Sequence, residues 1–222
     1  MAYQEPTVYT LPNVYAKAGG GFTPEFGGVD TNLIIATETK GNYLNGVICG
    51  DKYYYVNING ATQKWSLTKK TPVDITSFNS LIWKFGFNLN YAYGGSAFNN
   101  LFGCNRNNAF IDSQLTSAYN LTVRILKNGG SVISSFAVGS LSVGDDHILE
   151  FNLDKVNSKI IIQIDGVTKV NTSLDFTQID TTSFLPAYGC NYASSSCWLH
   201  DGVKIMREMS LLVDGVEKFD TL

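Results

Sequence analysis

The sequence predicts an all-β protein, an antiparallel β-sandwich with an extended N-terminal arm. Three observations predict it. Apolar and polar residues alternate with a period of two along many short segments. Asp-Gly and Asn-Gly pairs stand between those segments, where tight hairpins need residues that tolerate positive φ. No window carries the i, i+3, i+4, i+7 spacing of an amphipathic helix, and only Thr177 to Phe184 suggests one short turn.

Residues 1–29 read as an arm and hinge, and residues 30–222 as one sandwich domain. Met1 to Lys17 is extended and punctuated by proline. Ala18-Gly19-Gly20-Gly21, Pro24 and Gly27-Gly28 then interrupt any regular structure. The arm holds Tyr3, Val8, Tyr9, Leu11, Val14 and Tyr15, too apolar for a solvated tail. Docking on its own sheet or on a second copy is expected, and with it a homo-oligomer.

The strands follow in order. Leu81, Trp83, Phe85, Phe87 and Leu89 share one face, with Ile82, Lys84, Gly86 and Asn88 on the other. Leu121, Val123 and Ile125 repeat the pattern. Leu149, Phe151 and Leu153 do so again, set against His147, Glu150 and Asn152, with Ile148 also on that second face. Ile160, Ile162 and Ile164 form a further stripe. Val203, Ile205, Met209, Leu211 and Val213 share parity, with Arg207 interrupting. Asn128-Gly129-Gly130, Asp165-Gly166 and Asp214-Gly215 are the hairpin turns. Many short strands without intervening helices mean packed antiparallel sheets.

Composition narrows the function classes. Hydrophobic residues make up 44%, enough for a core, while charged residues reach only 16%, against about 25% in an ordinary domain. Asn, Gly, Ser, Thr and Tyr fill the difference. A net charge of -3 leaves no basic footprint for phosphates, so no nucleic acid is expected. No apolar run approaches a membrane span. The start, MAYQEPTVYT, has neither the basic nor the apolar region of a secretory signal. Cys49, Cys104, Cys190 and Cys197 form no C-x-x-C pair and read as free, mostly buried thiols. A Cys190–Cys197 bridge would need an oxidising compartment.

An ordered set of landmarks then resembles a family. It runs Asn100-Leu101-Phe102-Gly103, His147-Ile148-Leu149-Glu150-Phe151, Ile162-Gln163-Ile164-Asp165-Gly166, Pro186-Ala187-Tyr188-Gly189 and Val203 to Met209. From about residue 75 onward this is similar to the concanavalin A-like and laminin-G-like jelly rolls, including those of phage and prophage structural proteins. The resemblance implies a jelly-roll sandwich. It also implies a rim calcium, for which Asp145 and Asp146 are the candidate ligands.

Chemistry is sparse. Glucanases of this fold place carboxylates two residues apart on one strand, whereas Glu150-Phe151-Asn152-Leu153-Asp154 has Asn152 at the centre. There is no Gly-x-Ser-x-Gly elbow and no phosphate loop. His147 and His200 show no nucleophile at a readable spacing and read as polar surface residues or as side chains satisfied by backbone bonds. No enzyme and no obligatory cofactor are expected. Binding is expected in the segment Asn191 to Asp201. There Tyr192 and Trp198 are the expected stacking partners for a sugar ring, with Asn191, His200 and Asp201 supplying hydrogen bonds; Trp198 reads equally as a core residue at the start of a strand. Asn105 and Arg106 are a weaker second set. The expected role is a virion structural protein, assembled in the host cytoplasm and displayed on the particle. Its partners would be other virion proteins, itself and a cell-surface glycan. The alternative is a stand-alone lectin-like module.

Overall fold

The computed structural model describes residues 33–39, 47–49, 53–56, 63–69, 72–89, 101–103, 110–116, 118–127, 131–179, 182–184, 186–188, 199–200 and 203–218. The expected arm, residues 1–29, lies outside the described residues, as do the three turn positions Asn128, Gly129 and Gly130.

In chain order the strands are β1 Leu33–Thr39, β2 Val47–Cys49, β3 Tyr53–Val56, β4 Gln63–Lys69, β5 Val73–Asp74 and β6 Ser80–Leu89. Then come β7 Ile111–Leu115, β8 Asn120–Leu126, β9 Val132–Ser140, β10 Asp146–Asp154, β11 Lys159–Ile164 and β12 Val167–Ser173. The last are β13 Ser183–Phe184, β14 Ala187–Tyr188, β15 Leu199–His200, β16 Val203–Val213 and β17 Val216–Glu217. One 3-10 turn, Phe176–Gln178, precedes β13, starting one residue before the position that the sequence suggests.

One layer is a large sheet in the order β12-β11-β10-β6-β16-β3-β2, with β17 paired to β16. The facing layer is assembled from smaller pieces: β7-β8-β9, β1-β4 with β14 and β15, and β13-β5. All pairings are antiparallel. The result is an antiparallel sandwich, as the alternation predicts.

The core sits on the faces that the period-two stripes define. Leu81, Trp83, Phe85, Phe87 and Leu89 are each at most 1% exposed, and Leu149, Phe151, Leu153, Ile160 and Ile162 are fully buried beside them. Trp83 is the hub. Its ring lies 5.0 to 5.7 Å from those of Phe85, Phe102, Phe151, Phe184 and Tyr188, separations at which aromatic pairs add to simple burial. Its indole Nε1 donates to the Tyr188 hydroxyl at 3.1 Å, which satisfies both polar atoms. Burial drives the Tyr188 phenol far above its ordinary pKa.

Two hairpins close as their sequence predicts. Asp165 and Gly166 have φ of 54° and 75°, and Asp214 and Gly215 have 50° and 78°. Two positive φ in succession are what a two-residue turn of this hand requires.

Two expectations need correction. His147 does not face away from Leu149; it shares its odd parity, points inward and is only 5% exposed. Ile148, Glu150 and Asn152 form the outer row, so His147 is not a surface residue, while its 3.0 Å approach to the Ser142 carbonyl agrees with the reading of a side chain satisfied by backbone bonds. The interruption at Arg207 has a backbone cause. Ile205 pairs with Phe87 and Met209 with Phe85, so four residues of β16 span two of β6. The bulge inserts an even number, and parity survives on either side.

Candidate functional site

The outward face of β7-β8-β9 is the most organised polar surface among the described residues. Ile111, Ser113 and Leu115 turn inward and are buried. Ser113 is tolerated there because its hydroxyl accepts the Leu101 and Phe102 amides at 2.9 and 3.2 Å. Alternation leaves Asp112 and Gln114 on the other face. Register places Arg124 opposite Asp112 and Thr122 opposite Gln114. Ser135 and Ala137 of β9 continue the same rows and are exposed.

Asp112 and Arg124 make a two-pronged ion pair. Arg124 Nε donates to Asp112 Oδ1 at 2.7 Å, and Nη2 donates to Oδ2. The Asp112 side chain is 4% exposed and that of Arg124 21%. A planar fork fixed at two points holds the guanidinium in one orientation on the central strand of this three-stranded sheet. Gln114 and Thr122, half-buried, stand one row away. Sequence reasoning missed this set. Its signal was an acid and a base symmetric about the β7-β8 turn, since Ile111 pairs with Ile125 and Asp112 with Arg124.

A second polar cluster lies where β10 begins. The His147 ring packs 5.6 Å from that of Phe87. Its Nδ1 is 2.8 Å from Asp165 Oδ2, and its Nε2 is 3.2 Å from Ser142 Oγ and 3.0 Å from the Ser142 carbonyl. Asp165 is itself oriented, because its Oδ1 accepts the Ile148 amide at 2.7 Å. The sequence offered His147 no partner, yet the fold supplies serine and aspartate in the order of a hydrolase triad. The carbonyl contact matters for its chemistry. A general base needs a lone pair on Nε2, but a carbonyl oxygen at hydrogen-bond distance accepts an N–H. Both ring nitrogens thus face hydrogen-bond acceptors, the Asp165 carboxylate and the Ser142 carbonyl. As placed, the ring ties the Asp165-Gly166 hairpin to the β9-β10 connection.

Asp145 and Asp146, the candidate calcium ligands, adjoin this cluster. The Asn88 amide Nδ2 donates to Gly144 O at 3.0 Å and to Asp146 Oδ1 at 2.9 Å. An N–H donor thus stands where these oxygens converge, while Asn88 Oδ1 is buried without a hydrogen-bond partner. Calcium takes six to eight oxygens, and among the described residues no three His, Cys, Asp or Glu side chains gather at one point. As arranged, these residues do not fit the ion.

The carboxylates of β10 are engaged separately. Glu150 lies on the outer face, 3.7 Å from Lys84 Nζ. Asp154 accepts the Asn157 side chain at 2.6 Å and its backbone amide at 3.0 Å, which hold its carboxyl below the usual range. It shapes the β10-β11 turn.

The sugar-binding candidates Asn191, Tyr192, Trp198 and Asp201 lie outside the described residues, as do Asn105, Arg106, Cys190 and Cys197. His200 is placed by its backbone alone, in β15 opposite Lys64. The ends of the 191–198 segment are informative. Tyr188 pairs with Leu67 and Leu199 with Trp65, so β14 and β15 run along one edge of β4. Residues 189–198 therefore intervene where an unbroken strand would need only the partner of Ser66. No helix among the described residues is long and apolar enough to cross a membrane.

No family model matches this chain, and neither does any curated protein. Solved structures do resemble it. The potassium-bound carbohydrate recognition domain of Emp46p is 13% identical and has a TM-score of 0.53, with 90% of this chain and 99% of that chain covered. A heptameric SAP-like pentraxin from Limulus polyphemus is 8% identical, with 72% and 74% of the two chains covered and a TM-score of 0.48. An alginate lyase from Pseudomonas aeruginosa is also 8% identical, with 75% and 82% covered and a TM-score of 0.47. With the antiparallel topology described above, the likeness to the recognition domain establishes the fold as a concanavalin A-like jelly-roll sandwich.

Proposed function

We propose that this chain is a non-catalytic, lectin-like module that binds carbohydrate. The observation that carries the reading is the rigid polar face of β7-β8-β9, centred on the Asp112–Arg124 pair with Gln114 and Thr122 alongside. Sugar hydroxyls are recognised by planar, pre-oriented groups that pay no ordering entropy on contact. The low charge of the chain suits a neutral ligand. The whole-chain likeness to a carbohydrate recognition domain supports the same reading. Tyr192 and Trp198 are proposed as stacking partners for the ring, carried on the segment between β14 and β15.

A glycan array probed with the folded full chain tests this. Binding to a restricted set of glycans is expected. Gln114→Ala with Thr122→Ala should weaken it about tenfold or more, the loss of one or two hydrogen bonds. Folded protein that binds no glycan overturns the reading. The virion setting expected from composition is a separate proposal. Mass spectrometry of purified particles tests it, and absence of the chain from them overturns it while leaving the glycan reading intact.

A further inference from the structure

We infer that the outward face of the large sheet is a two-fold interface between two copies of this chain. The residues on that face follow from register. Across β11, β10, β6 and β16, one row reads Gln163, Glu150, Lys84, Ser210, and the next reads Ile161, Asn152, Ile82, Leu212. A third row sets Ile148 beside Gly86. Met206 packs over Gly86, where an added Cβ would fall 2.1 Å from its sulfur. Ile82, Ile148, Ile161, Met206 and Leu212 are all half-buried, so apolar side chains alternate with polar ones across this face.

The rows are self-complementary, which selects a second copy as the occupant. Consider a two-fold axis parallel to the strands, running between β6 and β10. It lays Lys84 over Glu150 of the other copy and Glu150 over its Lys84. It also lays Leu212 over Ile161 and Ile161 over Leu212 in the next row. A two-fold interface uses the same patch on both subunits, so each pairing occurs twice. Lys84 is 53% exposed and Glu150 28%, and their contact within one chain is a loose 3.7 Å, so both charges can reach across. Packed sheets cross at about 30°, and Lys84 and Glu150 sit on the two strands that flank the axis, where that rotation displaces them less than the residues of β11 and β16 in the same row. Four strands at about 4.8 Å spacing and nine residues at about 3.4 Å give a footprint of roughly 600 Å² per copy. The pair then buries roughly 1,200 Å², above the ~1,000 Å² that a specific interface needs. The β7-β8-β9 faces would point away from each other, giving a bivalent module.

Sedimentation velocity of the full chain across a concentration series tests this, with Lys84→Glu, Glu150→Lys and the double exchange. Each single change places like charges opposite each other and should raise the dimer dissociation constant at least tenfold. The double exchange restores opposite charges and should restore the dimer. Circular dichroism confirms that these surface variants fold. A wild-type chain that stays monomeric throughout the series overturns the inference. So does a dimer indifferent to both single changes, which would assign association to another surface such as the N-terminal arm. Failure of the double exchange to rescue overturns it as well.

Discussion

Gly103 shows how much one missing methyl group decides. Its φ is +87°, and a Cβ there would fall 1.9 Å from the Ile111 carbonyl oxygen, backbone against backbone. Gly139 also has a positive φ, +117°, but an added Cβ would meet nothing within 4 Å. The two positions separate conformational strain from collision. Gly139→Ala should cost roughly 1–3 kcal/mol and still unfold cooperatively in urea. Gly103→Ala adds the collision and should abolish the cooperative transition; equal midpoints for the two would refute the distinction. Tyr188→Phe should cost about 1–3 kcal/mol in the same measurement, since it leaves the buried Trp83 N–H without a partner. At this scale the sequence was legible where parity was counted and illegible where chemistry came from afar. The stripe from Leu81 to Leu89 could be read directly. The inward turn of His147 follows from the same count but was masked by its polarity. Its partners Ser142 and Asp165 belong to other elements, and only the fold brings them in.

Elements here end on aspartates that hold turns. Asp74 bonds to Thr76, Asp154 to Asn157 and Asp175 to Thr177 and Gln178. In each case hydrogen bonds to the charged form lower the carboxyl below its ordinary 3.8. A folded-state value below the unfolded one gives stability that is present above the unfolded value and lost as pH falls through the folded one. The melting temperature should therefore decline as pH drops below about 4. A variant with Asn at all three positions should show a shallower decline over that interval by differential scanning calorimetry; an unchanged slope would count against these turns as its source. The Asp-Gly hairpins were readable because a two-residue turn is a local device. The 3-10 turn at Phe176–Gln178 was readable to within a residue for the same reason, its Asp175 cap being local. The β16 bulge was not, because it exists only against β6, and the sequence shows merely a misplaced Arg207.

One core cluster runs through both layers of the molecule, from Val73 to Val213, and includes residues of the large sheet and of the smaller pieces facing it. It should therefore unfold as a unit. Loss of the tertiary signal from buried Trp83 and loss of far-ultraviolet strand signal should coincide in denaturant; separated midpoints would show that the facing layer melts alone. The jelly roll was legible at this scale through the order of its landmarks. The Asp112–Arg124 face was not, because neither residue stands out until β7 and β8 are paired.

The position of β16 has a consequence for how the chain is made. β6 lies between β10 and β16, yet Leu81 and its partner Val213 are 132 positions apart in the sequence. A ribosome moving at roughly 5–20 residues per second takes about 7–26 s to cover that interval. Until β10 is made, 72 positions after Leu81, β6 has neither neighbour, and from then until β16 emerges it is paired on one side only, its other edge carrying open amides and carbonyls beside Trp83 and Phe85. A strand that is safely interior in the finished protein is an unprotected edge during its own synthesis. Translation speed across the intervening stretch, and any chaperone that shields a bare strand, would then set the yield of folded protein, even though neither alters the final structure.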